Sequence, residues 1–144
     1  QSLLKENGSL DRKALGKKIF SNETDKTWLE TLLHPLIREQ AISETMASTS
    51  AYCIIVIPLL IENEAQYPLD AIIVIESSTE KQIERVRQRD NTSRETVERV
   101  LSQQATRKER LNIANYLIVN DQDQQQLTKQ VTLLHKKLLQ ICST

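Results

Sequence analysis

The amino-acid sequence predicts an α/β fold, a parallel sheet flanked by helices. The first sign is the run Cys53-Ile54-Ile55-Val56-Ile57, apolar throughout and stopped by Pro58. A strand with one solvated face alternates apolar and polar residues. A continuous β-branched run too short for a helix suits a strand buried on both faces, and proline cannot extend its ladder. The second sign is Ala71-Ile72-Ile73-Val74-Ile75, another uninterrupted run. No hairpin turn separates the two, so parallel neighbours fit better than an antiparallel pair. The third is the short run Tyr116-Leu117-Ile118-Val119, followed by Leu127, Val131, Leu134 and Leu138 at helical spacing. That last helix should cover one face of the sheet.

Composition bounds the function. The chain has 144 residues, enough for one domain with a core. Its 19 Lys and Arg balance 19 Asp and Glu, which argues against a general nucleic-acid binder. Two cysteines, Cys53 and Cys142, make neither a metal cluster nor a disulfide framework. Cys53 reads as a small core residue and Cys142 as a thiol at a frayed end. A reducing, cytoplasmic setting fits. No stretch has the length of a membrane span, and no signal-peptide pattern is present.

The chain opens on Gln1, without methionine, and holds only Gly8 and Gly16. Nucleotide-binding α/β domains carry a Gly-rich turn after the first strand, so the expectation is a chain that starts partway into a protein. Residues 6–9 form a turn signal, and Asp11 is placed to cap a short helix. Leu15 and Ile19 share one face of it, with Phe20 beside them. Gly16-Lys17-Lys18 is not a phosphate loop: it lacks the upstream glycine and the Ser/Thr.

After a break at Ser21-Asn22, helical spacing runs from about residue 25 to 46. Trp28, Leu32 and Leu36 form one stripe and Leu29, Leu33 and Ile37 the next, giving a wide apolar face. Pro35 should kink or restart this helix. His34 has two readings, a satisfied histidine beside the break or a side chain aimed at the ligand edge. Glu62 also has two. It follows the central run at the carboxyl edge where open α/β sheets bind ligands, or it is a surface carboxylate after a core strand.

Residues 77–110 carry nine basic against six acidic side chains, with arginine outnumbering lysine seven to two. Arginine makes bidentate phosphate contacts, and Arg85 and Arg89 share a helix face. Ser77 with Glu80 and Thr92 with Glu95 resemble capping boxes around a break at Asp90-Asn91. Helix, break, helix with few large apolar residues describes an arm that packs lightly and could move. The alternative is a solvated helical hairpin laced with ion pairs. His135, Lys136 and Lys137 suit the C-terminal end of the last helix through its dipole.

Several motifs resemble dephospho-CoA kinase. They are Asp11-Arg12-Lys13-Ala14-Leu15 through Ile19-Phe20, Leu33-His34-Pro35-Leu36-Ile37 and Ile57-Pro58-Leu59-Leu60-Ile61-Glu62, then Gln88-Arg89-Asp90 and Gln104-Ala105-Thr106-Arg107. Their order and spacing agree along the whole chain. The resemblance implies a P-loop kinase fold with a helical substrate-binding part at 1–50, an α/β core at 51–76 and 111–144, and a helical lid at 77–110. It implies transfer of the ATP γ-phosphate to the ribose 3′-hydroxyl of dephospho-CoA, with Mg²⁺, as the last step of CoA biosynthesis. The substrates are ATP and dephospho-CoA, with no nucleic acid and no membrane.

Carried over by position, Arg85 matches the lid arginine that contacts ATP phosphates and takes the catalytic role. Arg89 is a second candidate there, or pairs with Asp90. His34, Pro58, Leu59 and Glu62 match positions lining the dephospho-CoA side. Asn120 matches the loop near the nucleotide base, although Ala114-Asn115 and Asn120-Asp121 stand where the family tends to Ala-Asp and Asn-Gly. The family's P-loop and general base precede the matched region and are assigned to no residue here; the chain by itself is then expected to be inactive. Two other readings stay open, a different P-loop small-molecule or nucleotide kinase and a non-catalytic ligand-binding fragment.

Overall fold

A computed structural model describes residues 3–62 and 67–143, the side chain of Phe20 excepted. The chain forms two compact units, Gln1–Ser48 and Thr49–Thr144, and each is described by itself.

The first unit is a turn and two helices. Leu4 and Leu10 pair in an isolated antiparallel bridge, and between them the amide of Gly8 donates to the Lys5 carbonyl at 2.9 Å. Gly8 has φ +77°, a left-handed conformation that costs glycine nothing. The Asp11 carboxylate accepts from the amides of Lys13 and Ala14 at 3.0 and 2.9 Å and so starts α1 (Arg12–Ser21). Asn22 ends α1 and caps the next helix through the Thr24 and Asp25 amides. That helix, α2 (Glu23–Ala47), packs on α1 and runs unbroken through Pro35. The expected restart does not occur. Proline removes one ladder bond, while Glu30, Leu32 and Leu33 before it and Arg38, Glu39 and Gln40 after it favour helix. No residue of α2 is buried, and Trp28, Leu32, Leu36 and Ile37 of the expected apolar face are exposed.

The second unit holds the sheet. Strands β1 (Ile73–Glu76) and β2 (Tyr116–Val119) pair in parallel, with Ile73 opposite Tyr116 and Glu76 opposite Val119. Asn115 sets the entry: its side-chain oxygen accepts the Ile72 amide at 2.8 Å while its own amide donates to the Ile72 carbonyl at 2.9 Å. The Asn120 amide closes the far end on the Glu76 carbonyl at 2.7 Å. Parallel pairing thus holds for the second and third runs.

It does not hold for the first run. Residues 53–57 form no regular element and join no ladder among the described residues, and Ile54 and Val56 are 62% and 84% exposed. Cys53 is likewise exposed, not a core residue. A buried strand needs a neighbouring strand to complete its ladder, and no strand among the described residues pairs with this run. Just before it, the Tyr52 hydroxyl shares a 2.6 Å hydrogen bond with His135 Nδ1. Within β1 burial alternates: Val74 and Glu76 are buried and Ile75 is exposed.

Between the strands lie α3 (Thr79–Asp90), α4 (Arg94–Leu101) and α5 (Arg107–Ile113). The expected capping boxes shift. Ser78 precedes α3 without a side-chain cap, Ser93 caps α4 through the Thr96 amide, and the complete box is Thr106 with Glu109 at α5. Asn91, at φ 47°, ends α3 in the left-handed region that Asn tolerates. α3 and α4 pack together, and Ile83 and Val97 are only 2% and 3% exposed. The two helices of the arm thus pack on each other, each contributing one buried apolar residue.

The last helix, α6 (Gln124–Cys142), lies along β2. Its Gln130 amide pairs with both backbone groups of Val119, accepting at 2.9 Å and donating at 2.8 Å. This satisfies a sheet edge that would otherwise be open. Because α6 runs on to Cys142, His135 and Lys137 sit too far from its end to serve the dipole. His135 meets Tyr52, and the Lys137 ammonium lies 5.0 Å from the centre of the Tyr116 ring.

Candidate functional site at the carboxyl edge of the sheet

Both strands end at the same edge, β1 at Glu76 and β2 just before Asn120. That edge is where α/β sheets present ligand groups. Two cations of α3, Lys81 and Arg85, reach it from successive helical turns. Arg85 Nη2 donates to the Asn120 carbonyl at 2.9 Å and approaches its side-chain oxygen at 3.5 Å. Lys81 Nζ donates to the Asp121 carbonyl, and the Asp121 carboxylate accepts the Ser78 amide at 2.7 Å. The loop after β2 is thus tied to the start of α3 at both ends of Asp121.

A second cluster surrounds Glu76. Its carboxylate is 5% exposed and takes Arg107 Nε at 3.1 Å and Arg110 Nε at 2.9 Å, one on each oxygen. A buried carboxylate needs such partners, because desolvation without them is costly. Arg110 also donates through Nη1 to the Ala105 carbonyl at 2.5 Å. The Ala105 amide donates to Glu62 Oε1 at 2.7 Å. Glu62 lies in the turn 58–62, with Pro58 and Leu59 exposed at its start. A chain of contacts therefore joins Glu62, Ala105, Arg110, Glu76 and Arg107.

Arg85 and Asn120, both read as nucleotide-side residues, are brought into contact. Arg89 is not: its guanidinium forks onto its neighbour Asp90 at 2.7 and 2.8 Å, which holds the Asp90 carboxyl below its ordinary range. His34 is an exposed residue of α2, in the other unit. On the arm, Arg94 bridges α3 and α4, meeting Glu80 at 2.5 and 3.0 Å and Glu98 at 2.7 Å. These hydrogen bonds, with the charge of Arg94, hold the Glu80 carboxyl below its ordinary value and raise Arg94 above its own. Glu109 is also lowered, by the Thr106 hydroxyl and then the Thr106 amide.

The sequence reading assigned no site role to Glu76, Arg107, Arg110, Lys81 or Asp121. A signal existed for the first. Glu76 ends an apolar run as Glu62 follows one, and a carboxylate in that place needs a cationic partner from elsewhere in the chain. The arginines that supply it lie more than thirty residues on, where only the tertiary structure pairs them.

Comparison with known proteins places the chain. A family model described as Dephospho-CoA kinase matches residues 1–126. The chain is 41% identical over 142 residues to the dephospho-CoA kinase of Vibrio parahaemolyticus, covering 99% of this chain and 70% of that protein. It is 38% identical over 142 residues to the Escherichia coli K12 enzyme of the same name, covering 99% and 69%. Among solved structures, dephospho-CoA kinase from Campylobacter jejuni superposes with a TM-score of 0.69 at 29% identity, over 97% of this chain and 71% of that one. A Thermus thermophilus crystal structure gives a TM-score of 0.75 at 26% identity, over 91% and 69%. With parallel strands, flanking helices and these relatives, the chain belongs to the dephospho-CoA kinase family, a P-loop kinase fold.

Proposed function

We propose that this chain works in the transfer of the ATP γ-phosphoryl group to the ribose 3′-hydroxyl of dephospho-CoA, the step that completes CoA. The β–γ bridge breaks as the new bond to the 3′-oxygen forms, ADP leaves and the hydroxyl proton is released. Family membership supports the reaction. The observation that carries the site is Arg85 against Asn120, 2.9 Å apart at the carboxyl edge of parallel strands.

Phosphoryl transfer asks a protein for positioning and for charge more than for covalent chemistry. Arg85 spends one terminal nitrogen on Asn120, and Nε and Nη1 have no partner among the described residues. Those donors can take oxygens of the transferring phosphate, while Asn120 marks the base side. Arg89 is a second phosphate candidate once it leaves Asp90. In the second unit Pro58, Leu59 and Glu62 serve the dephospho-CoA side in this proposal, with Glu62 Oε2 still able to accept a ligand hydroxyl; for His34, in the first unit, the same role rests on the family resemblance alone. The arm at 77–110 is the lid, 1–50 the substrate side, and 51–76 with 111–144 the core.

Mg²⁺ accompanies ATP in this chemistry and neutralises charge on its phosphates. Among the described residues no three His, Cys, Asp or Glu side chains gather to hold a metal. Among them, too, no helix is long and apolar enough to cross a membrane. A cytoplasmic setting belongs to the proposal and rests on the sparse cysteine usage.

The test is ADP release with Mg-ATP and either dephospho-CoA or a nucleoside monophosphate as acceptor. Turnover with dephospho-CoA is expected of the complete protein. Turnover with the nucleotide alone would point to another P-loop kinase, and no calorimetric binding of Mg-ATP to a non-catalytic fragment.

A further inference from the structure

The pair of arginines on Glu76 is unequal. Arg110 has a half-buried side chain, and it spends Nε on Glu76 and Nη1 on the Ala105 carbonyl. Arg107 is 69% exposed, spends only Nε on Glu76, and has no other partner among the described residues. One carboxylate against two guanidiniums leaves the cluster with a net positive charge. If neutralising Glu76 were the whole purpose, a second cation with its fork in solvent would add little, since exposed ion pairs contribute weakly.

We propose that Arg107 is an anion-binding residue of this site, oriented by Glu76, whose terminal nitrogens take phosphoryl oxygens of a bound substrate. The arrangement is pre-set. The Nε contact to a buried carboxylate fixes the plane of the guanidinium, and that group binds phosphate best as a planar fork. The backbone leading to it is fixed as well, because both polar atoms of Ala105 are held, the amide by Glu62 and the carbonyl by Arg110. Little order is left to impose on binding, which is where preorganisation gains affinity. Arg107 also stands by the carboxyl end of β1, the ligand edge of such sheets. The chemical class, a phosphate anhydride, rests on the kinase reading, and its two sources are the ATP phosphates and the diphosphate of dephospho-CoA. Glu76 is a positioning residue, acting through Arg107.

Calorimetric titration of the wild-type protein and of Arg107→Gln and Arg107→Lys with inorganic pyrophosphate, ATP and dephospho-CoA tests this. Circular dichroism checks that the variants fold, as an exposed side chain leads one to expect. Arg107→Gln should weaken pyrophosphate and one of the two substrates about tenfold or more, and the substrate affected names the source. Arg107→Lys should fall between, keeping charge and losing the fork. Dissociation constants for all three ligands within twofold of wild type in Arg107→Gln would overturn the proposal, as would a wild-type protein that binds none of them. Pyrophosphate binding that depends on Arg107, in a protein that binds neither ATP nor dephospho-CoA, would keep the anion site and sink the kinase reading.

Discussion

Arg85 donates to the backbone carbonyl of Asn120 across 2.9 Å, joining α3 to the loop that follows β2. In the proposed site this holds the phosphate-side cation and the base-side loop in one register. Arg85→Ala in the complete protein should lower kcat about a hundredfold or more in an ADP-release assay, as loss of a transition-state charge contact does. Arg85→Lys should recover part of it, since charge returns without the second donor. An unchanged kcat in Arg85→Ala would remove this residue from the mechanism.

Glu76 holds two arginines from a position that water hardly reaches. Glu76→Ala leaves both guanidiniums facing a void. Breaking a fully buried pair costs more, but Arg107 is largely solvated, so a loss of about 1–3 kcal/mol is expected. Urea denaturation of wild type and variant measures it, and a midpoint that does not move would show the cluster to be incidental.

Glu80 and Arg94 give the arm a pH signature. The hydrogen bonds to Arg94 lower the Glu80 carboxyl below the ordinary 4.5. A carboxyl depressed in the folded state contributes stability above its unfolded pKa and loses that contribution as pH falls through the folded value. The stability difference between wild type and Glu80→Gln should therefore be present at pH 7 and vanish below the ordinary carboxylate range. Added salt should shrink it at pH 7, because both side chains are solvated. A difference that persists unchanged at pH 2 would rule out the ion pair as its cause.

The capping box at Thr106 orders the stretch that carries Arg107 and Arg110. The Thr106 hydroxyl accepts the Glu109 amide at 3.3 Å, and the Glu109 carboxylate takes the Thr106 amide at 2.7 Å. Thr106→Ala should cost about 1 kcal/mol. Thr106→Ser should cost much less, as it keeps the oxygen. Thermal melts of the two variants distinguish a capping effect from lost methyl packing.

Gln130 seals the outer edge of β2 with both ends of its amide. Gln130→Leu keeps bulk on α6 but returns the Val119 amide and carbonyl to solvent. A loss of about 1 kcal/mol and faster hydrogen exchange at the Val119 amide are expected. Protection at Val119 equal to wild type would mean that another group covers this edge.

Much of this protein was determined by local sequence alone. Asp11 as a helix cap, the turn around Gly8, the break at Asn91, the strand at 116–119 and the helix that follows all depend on residues close in the chain. Capping, φ preference and apolar period act over a few positions, so they can be read without knowing the fold. Motif order was legible for the same reason, and with it the family. The tertiary structure decided the rest. The run 53–57 has the composition of a buried strand, yet it joins no ladder among the described residues, because pairing belongs to a neighbour and not to the segment. Pro35 sits inside one continuous helix, because a single missing bond is outweighed by the residues on either side. Arg85 on Asn120, Glu62 on the Ala105 amide and Glu76 between Arg107 and Arg110 link residues some thirty to forty apart in the chain. A charge pattern lists which residues can pair. Only the folded backbone, by setting which carbonyls and carboxylates lie within 3 Å or so of each guanidinium, chooses among them.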